Sequence, residues 1–112
     1  MKYNNPNVYF NPEAFGLELI GAIEWREEYY EFDITIVLKK TRGEYYLASD
    51  SGCSCPSPFE DFTSVDKLLG PYDKKGVKFH LEEYLKEAQG VTYSTPARGL
   101  DIQVRNILDR IK

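Results

Sequence analysis

Both cysteines of the chain, four serines and two prolines crowd into "ASDSGCSCPSPFEDF", Ala48 to Phe62. Three chemistries can be written for this stretch. The first is metal binding. Cys53-x-Cys55 supplies two thiolates, but a structural zinc site needs four ligands, commonly as two such pairs. Only His80 and carboxylates could complete the set, so no metal or cofactor is assigned. The second is thiol catalysis. Cys53 or Cys55 with His80, the one histidine, and Asp50 makes a nucleophile, a base and an orienter. Nothing in the spacing demands that set, and "GCSCP" lacks the second glycine of a nucleophile elbow. No catalytic residue is assigned, and an enzyme at Cys53, Cys55 and His80 is the least favoured function. The third is anion binding by inward-turned N–H groups of Ser51, Gly52, Cys53 and Ser54. Asp50, Glu60 and Asp61 oppose it, and no Lys or Arg lies between Glu44 and Asp66.

The stretch also reads as a well-built loop. Asp50 and Ser51 can accept backbone N–H groups in an Asx or ST turn. Gly52 permits a positive φ. Pro56 and Pro58 extend the residues before them, and Phe59 and Phe62 look like anchors to the core. A disulfide between Cys53 and Cys55 would close a strained ring, so free thiols are expected.

A second cluster is electrostatic. In "EWREEYYEFD", Glu24, Glu27, Glu28, Glu31 and Asp33 face Arg26 alone, beside Tyr29 and Tyr30. Residues 1–66 carry 12 acids and 5 bases, whereas residues 67–112 carry 6 acids and 9 bases. An acidic front repels nucleic acid and attracts basic partners, while the plainer reading is a solvated hairpin tip. No apolar run reaches the roughly 20 residues of a membrane span. "MKYNNPNVYFNPEAF" has no apolar leader pattern and reads as an extended arm, 1–15, which places the chain in the cytoplasm.

The elements that must position these clusters follow from periodicity. "GLELIGAIEW" sets Leu17, Leu19, Ile23 and Trp25 at period two. "YEFDITIVLKK" does so with Phe32, Ile34, Ile36 and Leu38, leaving Asp33, Thr35 and Lys39 on the other face. "EYYLAS" adds Tyr45 and Leu47, and "KKTRGE" is a hairpin turn. "SVDKLLG" is a short helix candidate capped by Thr63 and stopped by Gly70-Pro71. Residues 76–90 give a helical stripe of Val77, Leu81, Tyr84, Leu85 and Ala88, with Glu82 and Lys86 paired on the wet side. Residues 94–112 give another: Thr95 caps, Pro96 takes the first helical position, and Leu100, Val104, Ile107, Leu108 and Ile111 form the stripe. The expected fold is one α+β domain, 1–112: a three-stranded antiparallel meander followed by two to three helices packed on one sheet face. Asp50 to Phe62 is then the strand-to-helix crossover, long enough to suggest function.

The segment "LASDSGCSCPSPFEDF", preceded by "GLELI", Trp25, "YEFDIT" and Tyr45-Tyr46, resembles a family of small bacteriophage proteins, many from phages of actinobacteria, with no established activity. The matching pieces lie between Gly16 and Phe62, and the chain from Asp66 onward does not match. The resemblance implies a phage accessory protein acting in the host cytoplasm, and it carries over no catalytic residue. The leading expectation is a non-catalytic protein that binds a host protein, for takeover or anti-defence. Its candidate binding residues are Glu27, Glu28, Tyr29, Tyr30 and the loop Asp50, Ser51, Gly52, Cys53, Ser54 and Cys55. The alternative is a binder of a small anionic ligand such as a nucleotide signal.

Overall fold

The computed structural model describes residues 6–26, 31–41, 43–53, 59–90 and 99–111, with the backbone alone for Glu31 and Cys53. Four strands, β1 (Glu18–Glu24), β2 (Glu31–Thr41), β3 (Glu44–Cys53) and β4 (Leu69–Tyr72), form one sheet in the order β1-β2-β3-β4. Every neighbouring pair is antiparallel. Two helices follow, α1 (Lys74–Gly90) and α2 (Leu100–Asp109). The class is α+β, as expected. Among the described residues no helix is long and apolar enough to cross a membrane.

The fourth strand replaces the expected helix of residues 64–70. Only a 3-10 turn, Val65–Lys67, forms there; Ser64 precedes it, Thr63 does not cap it, and no side chain does. Leu68 is already extended, and Leu69 and Tyr72 pair with Leu47 and Tyr45. Pro71 is tolerated because β4 is an edge strand, where a missing N–H breaks no ladder. Helix α1 starts two residues before the expected 76. Its wet-side pair is Lys86 with Glu83 at 3.4 Å, not with Glu82. Helix α2 begins at Leu100, after Gly99; the expected cap Thr95 and Pro96 lie outside the described residues.

The larger correction concerns the sheet's faces. The period-two stripe Ile34, Ile36 and Leu38 does not meet the helices. It packs with Tyr46, Ala48, Leu17, Val8, Phe59 and Leu68. The helices cover the opposite face, where Val77, Leu81, Ala88, Leu100, Val104 and Ile107 meet Ile23, Trp25, Val37, Tyr45 and Leu47. Strand β2 is therefore buried on both sides from Ile34 to Leu38, Thr35 included. A bulge between Leu19 and Gly21 shifts the phase of β1. An extra residue sends side chains on either side of it to opposite faces, so Leu17 and Leu19 belong to one core and Ile23 and Trp25 to the other. Beside the bulge, Gly21 lies against α2. A Cβ there would stand 2.7 Å from Ile107 Cγ1. Arg110 donates to the Ile20 carbonyl at 2.6 Å and fixes the end of α2 to the same place.

The cover of the far face is the segment expected to be an extended arm. Asn7 Oδ1 accepts the N–H groups of Tyr9 and Phe10, each at 2.9 Å, and folds the chain back. A 3-10 turn, Pro12–Phe15, follows. Val8 is fully buried, and its N–H donates to the Phe62 carbonyl at 3.0 Å.

Candidate functional site

The register of the sheet brings the two sequence clusters to one end. Glu31, which opens β2, pairs with Cys53, which closes β3. Trp25, beyond the end of β1, bonds through its N–H to the Asp33 carbonyl at 2.8 Å. The acidic segment and the Cys/Ser/Pro loop thus leave the sheet from adjacent backbone positions. Of the candidate binding residues, Glu27, Glu28, Tyr29, Tyr30, Ser54 and Cys55 lie outside the described residues.

Asp50, Ser51, Gly52 and Cys53 are not in an irregular loop; they continue β3 opposite Ile34, Asp33, Phe32 and Glu31. Successive N–H groups of a strand point to opposite edges, so Ser51 to Cys53 do not converge into an anion nest. Gly52 has no positive φ. It accommodates an aromatic neighbour instead: a Cβ there would stand 3.3 Å from the Phe32 ring across the ladder. Asp50 does accept backbone N–H groups, from Ser51 at 3.0 Å and from Phe59 at 2.7 Å. That second bond holds Phe59 at φ 63, a left-handed conformation rare for a bulky residue. Phe59 is fully buried and meets Phe62 edge to face at 5.1 Å. Both serve as the expected anchors.

Of the thiol–imidazole–carboxylate set, Asp50 and His80 are not brought together; Cys55 and the side chain of Cys53 lie outside the described residues. The Asp50 carboxylate serves the far core through Phe59. His80 sits on α1, stacked on Tyr72 at 4.6 Å and near Tyr84 at 6.3 Å, both of which pack on the helix-side core. The sheet separates His80 from Asp50. Among the described residues no group of three His, Cys, Asp or Glu side chains could hold a metal.

A site that the sequence clusters do not announce lies at the same sheet end, under the C-terminal part of α1. It is a cleft of about 190 Å³ with a mixed polar and apolar lining. Its floor is a relay of hydrogen bonds. Trp25 Nε1–H donates to Thr35 Oγ1 at 2.8 Å, and Thr35 Oγ1 and Ser49 Oγ are hydrogen-bonded at 2.6 Å, either hydroxyl being able to donate. Trp25 and Tyr84 meet edge to face at 6.2 Å. Arg26, Asp33 and Glu87 complete the lining. The Arg26 Nη1 donates to the Ala88 carbonyl at 3.1 Å, one of the last four carbonyls of α1, which lack partners within a helix. Its Nε stands 3.8 Å from the Asp33 carboxylate. Burial raises the Asp33 carboxyl above its ordinary value, and the Arg26 charge only partly opposes this. Burial, and then Tyr72 and Glu87, raise the Tyr84 phenol, with the Ser49 hydrogen bond acting the other way. In both groups burial, which disfavours the charged form, is the leading cause. The cleft escaped sequence reasoning because its parts run from Trp25 to Ala88 and meet only through strand register; the one local sign was a tryptophan beside a lone arginine in an acidic run.

No curated protein and no solved structure is found to match the chain. A family model does, over residues 6–110, and it spans both cores, the sheet end and the cleft. The chain belongs to the family described as a domain of unknown function, DUF7574.

Proposed function

We propose that the protein acts by binding rather than by catalysis, engaging a basic surface of a host protein through the sheet end that carries the acidic segment and the Cys/Ser/Pro loop. The observation that supports this reading is the pairing of Glu31 with Cys53. It puts side by side the backbone positions that flank two segments far apart in sequence. Glu24 and Ser51 are exposed at this end, and Asp33 and Asp50 are partly so. A negative surface of this kind speeds encounter with a positive partner. The bacteriophage resemblance supplies the class of partner, a protein of the host cell met during takeover or anti-defence.

The test is affinity capture from host cells, followed by association kinetics with the captured protein. The double variant Glu27→Lys/Glu28→Lys should keep its fold, because it relieves a run of five acids that has Arg26 as its one base. It should associate several-fold more slowly at low salt, and the native on-rate should fall as salt rises. An on-rate indifferent to both the reversal and to salt would exclude the acidic end as the docking surface.

A further inference from the structure

We infer that the cleft beneath α1 receives one basic side chain, a lysine or arginine of the protein partner; this rests on the binding role proposed above and names its anchoring contact. Size decides first. At about 190 Å³ the cleft is smaller than the roughly 300–1,000 Å³ of pockets that enclose drug-sized ligands or cofactors. It has room for a single side chain.

Charge decides next. The rim carries two carboxylates, Asp33 and Glu87, against one guanidinium, Arg26. Asp33 stands 3.8 Å from Arg26, a loose pairing that leaves most of its acceptor capacity open. Arg26 is tied to the Ala88 carbonyl and sits at the C-terminal end of α1, where the helix dipole adds partial negative charge and favours cations.

Shape decides last. Trp25 and Tyr84 line the same space as the carboxylates, and aromatic faces attract a desolvated cation. The hydroxyls of Ser49 and Tyr84 offer acceptors to an ammonium or guanidinium once it is inside. Arg26, the residue before Glu27 in the acidic segment, is itself part of the lining, so the cleft that holds a basic partner is close in sequence to that segment.

The chain has one tryptophan, so the Trp25 indole N–H gives a single, unmistakable NMR resonance on the cleft floor. The probe is Nα-acetyl-lysine methylamide, titrated into the labelled full chain beside its norleucine and glutamate counterparts. The lysine compound should move the indole resonance saturably, and the other two should not. Glu87→Gln should weaken that binding about two- to fivefold, the worth of one partly exposed charge contact, and Asp33→Asn should do the same. Glu87 is exposed on a helix, so its variant keeps the test valid if Asp33→Asn disturbs the fold. No saturable shift, an equal response to norleucine, or preferred binding of the glutamate compound at Arg26 would each overturn the inference. If charge reversal at Glu27 and Glu28 slows partner association while Glu87→Gln does not weaken it, the acidic surface stands and the cleft inference falls. If the lysine compound binds as expected while association ignores the reversal, the inference stands and the acidic surface falls.

Discussion

Replacing Gly21 by alanine should destabilise the protein, and shortening Ile107 should remove that penalty. The new Cβ would stand 2.7 Å from Ile107 Cγ1 and 3.0 Å from its Cδ1. Cγ1 is not the free tip of the side chain, and Ile107 is only 3% exposed, so it has little room to yield. Overpacking of this kind costs about 1–3 kcal/mol. Against it, alanine in a strand recovers about 0.5–1 kcal/mol of backbone entropy relative to glycine. The net loss should reach roughly 2 kcal/mol in the upper part of those ranges. Ile107→Ala alone should cost about 2–5 kcal/mol, as for other large-to-small changes in a core. In that background the alanine at 21 meets no Cγ1, and it should be neutral or stabilising by about 0.5–1 kcal/mol. The double-mutant cycle should therefore show a favourable coupling of about 1–3 kcal/mol. Urea melts at constant m-value measure all four corners. Additivity within about 0.5 kcal/mol would refute the contact between the bulge of β1 and α2.

Phe59→Ala should cost about 3–5 kcal/mol in the same melts, because a fully buried ring is lost from the far core; a cost under about 0.5 kcal/mol, the surface range, would mean that the ring is not an anchor. Asp33→Asn tests the cleft through pH. A carboxyl raised in the folded state binds more protons there than in the unfolded chain, so its contribution to stability falls as pH rises from the ordinary value of 3.8 through the folded value. Stability of the native protein relative to Asp33→Asn should therefore grow as pH is lowered through that window, followed by denaturant melts. Growth in the opposite direction would mean that Arg26 outweighs burial.

What the sequence made legible was whatever a single period could carry. The stripes Val77, Leu81, Ala88 and Leu100, Val104, Ile107 are buried because an isolated helix face has one repeat and one neighbour. Strand β2 defeated the same logic. Ile34, Ile36 and Leu38 alternate, yet Val37 between them is just as buried, and Thr35 enters the core because Trp25 and Ser49 satisfy its hydroxyl. Alternation read as one wet face was two dry ones. The bulge at Gly21 has no local signature, so the phase shift that divides Leu19 from Ile23 could not be foreseen. Strand β4 is four residues long and contains Gly70-Pro71, which reads as an interruption rather than as a strand. The pairing of Glu31 with Cys53 and the whole of the cleft depend on a strand register that only the assembled sheet defines.

The hydrogen bond from Val8 to Phe62 has a consequence for the order in which the molecule can assemble. Early residues close the far core, but their partners are Phe59 and Phe62, so that cover must wait until the chain through Phe62 exists. The helix-side core waits longer still, for Ile107 and Ile111. Until then β2 and β3 can pair through their short turn while both apolar faces lack a lid. Closure of such distant contacts is slow relative to hairpin formation, and uncovered strands are the species most exposed to aggregation. The far face should therefore gain protection from hydrogen exchange before the helix face when chains of increasing length are compared. By this reasoning the central hairpin should form first and the two unequal halves should be added to it in turn.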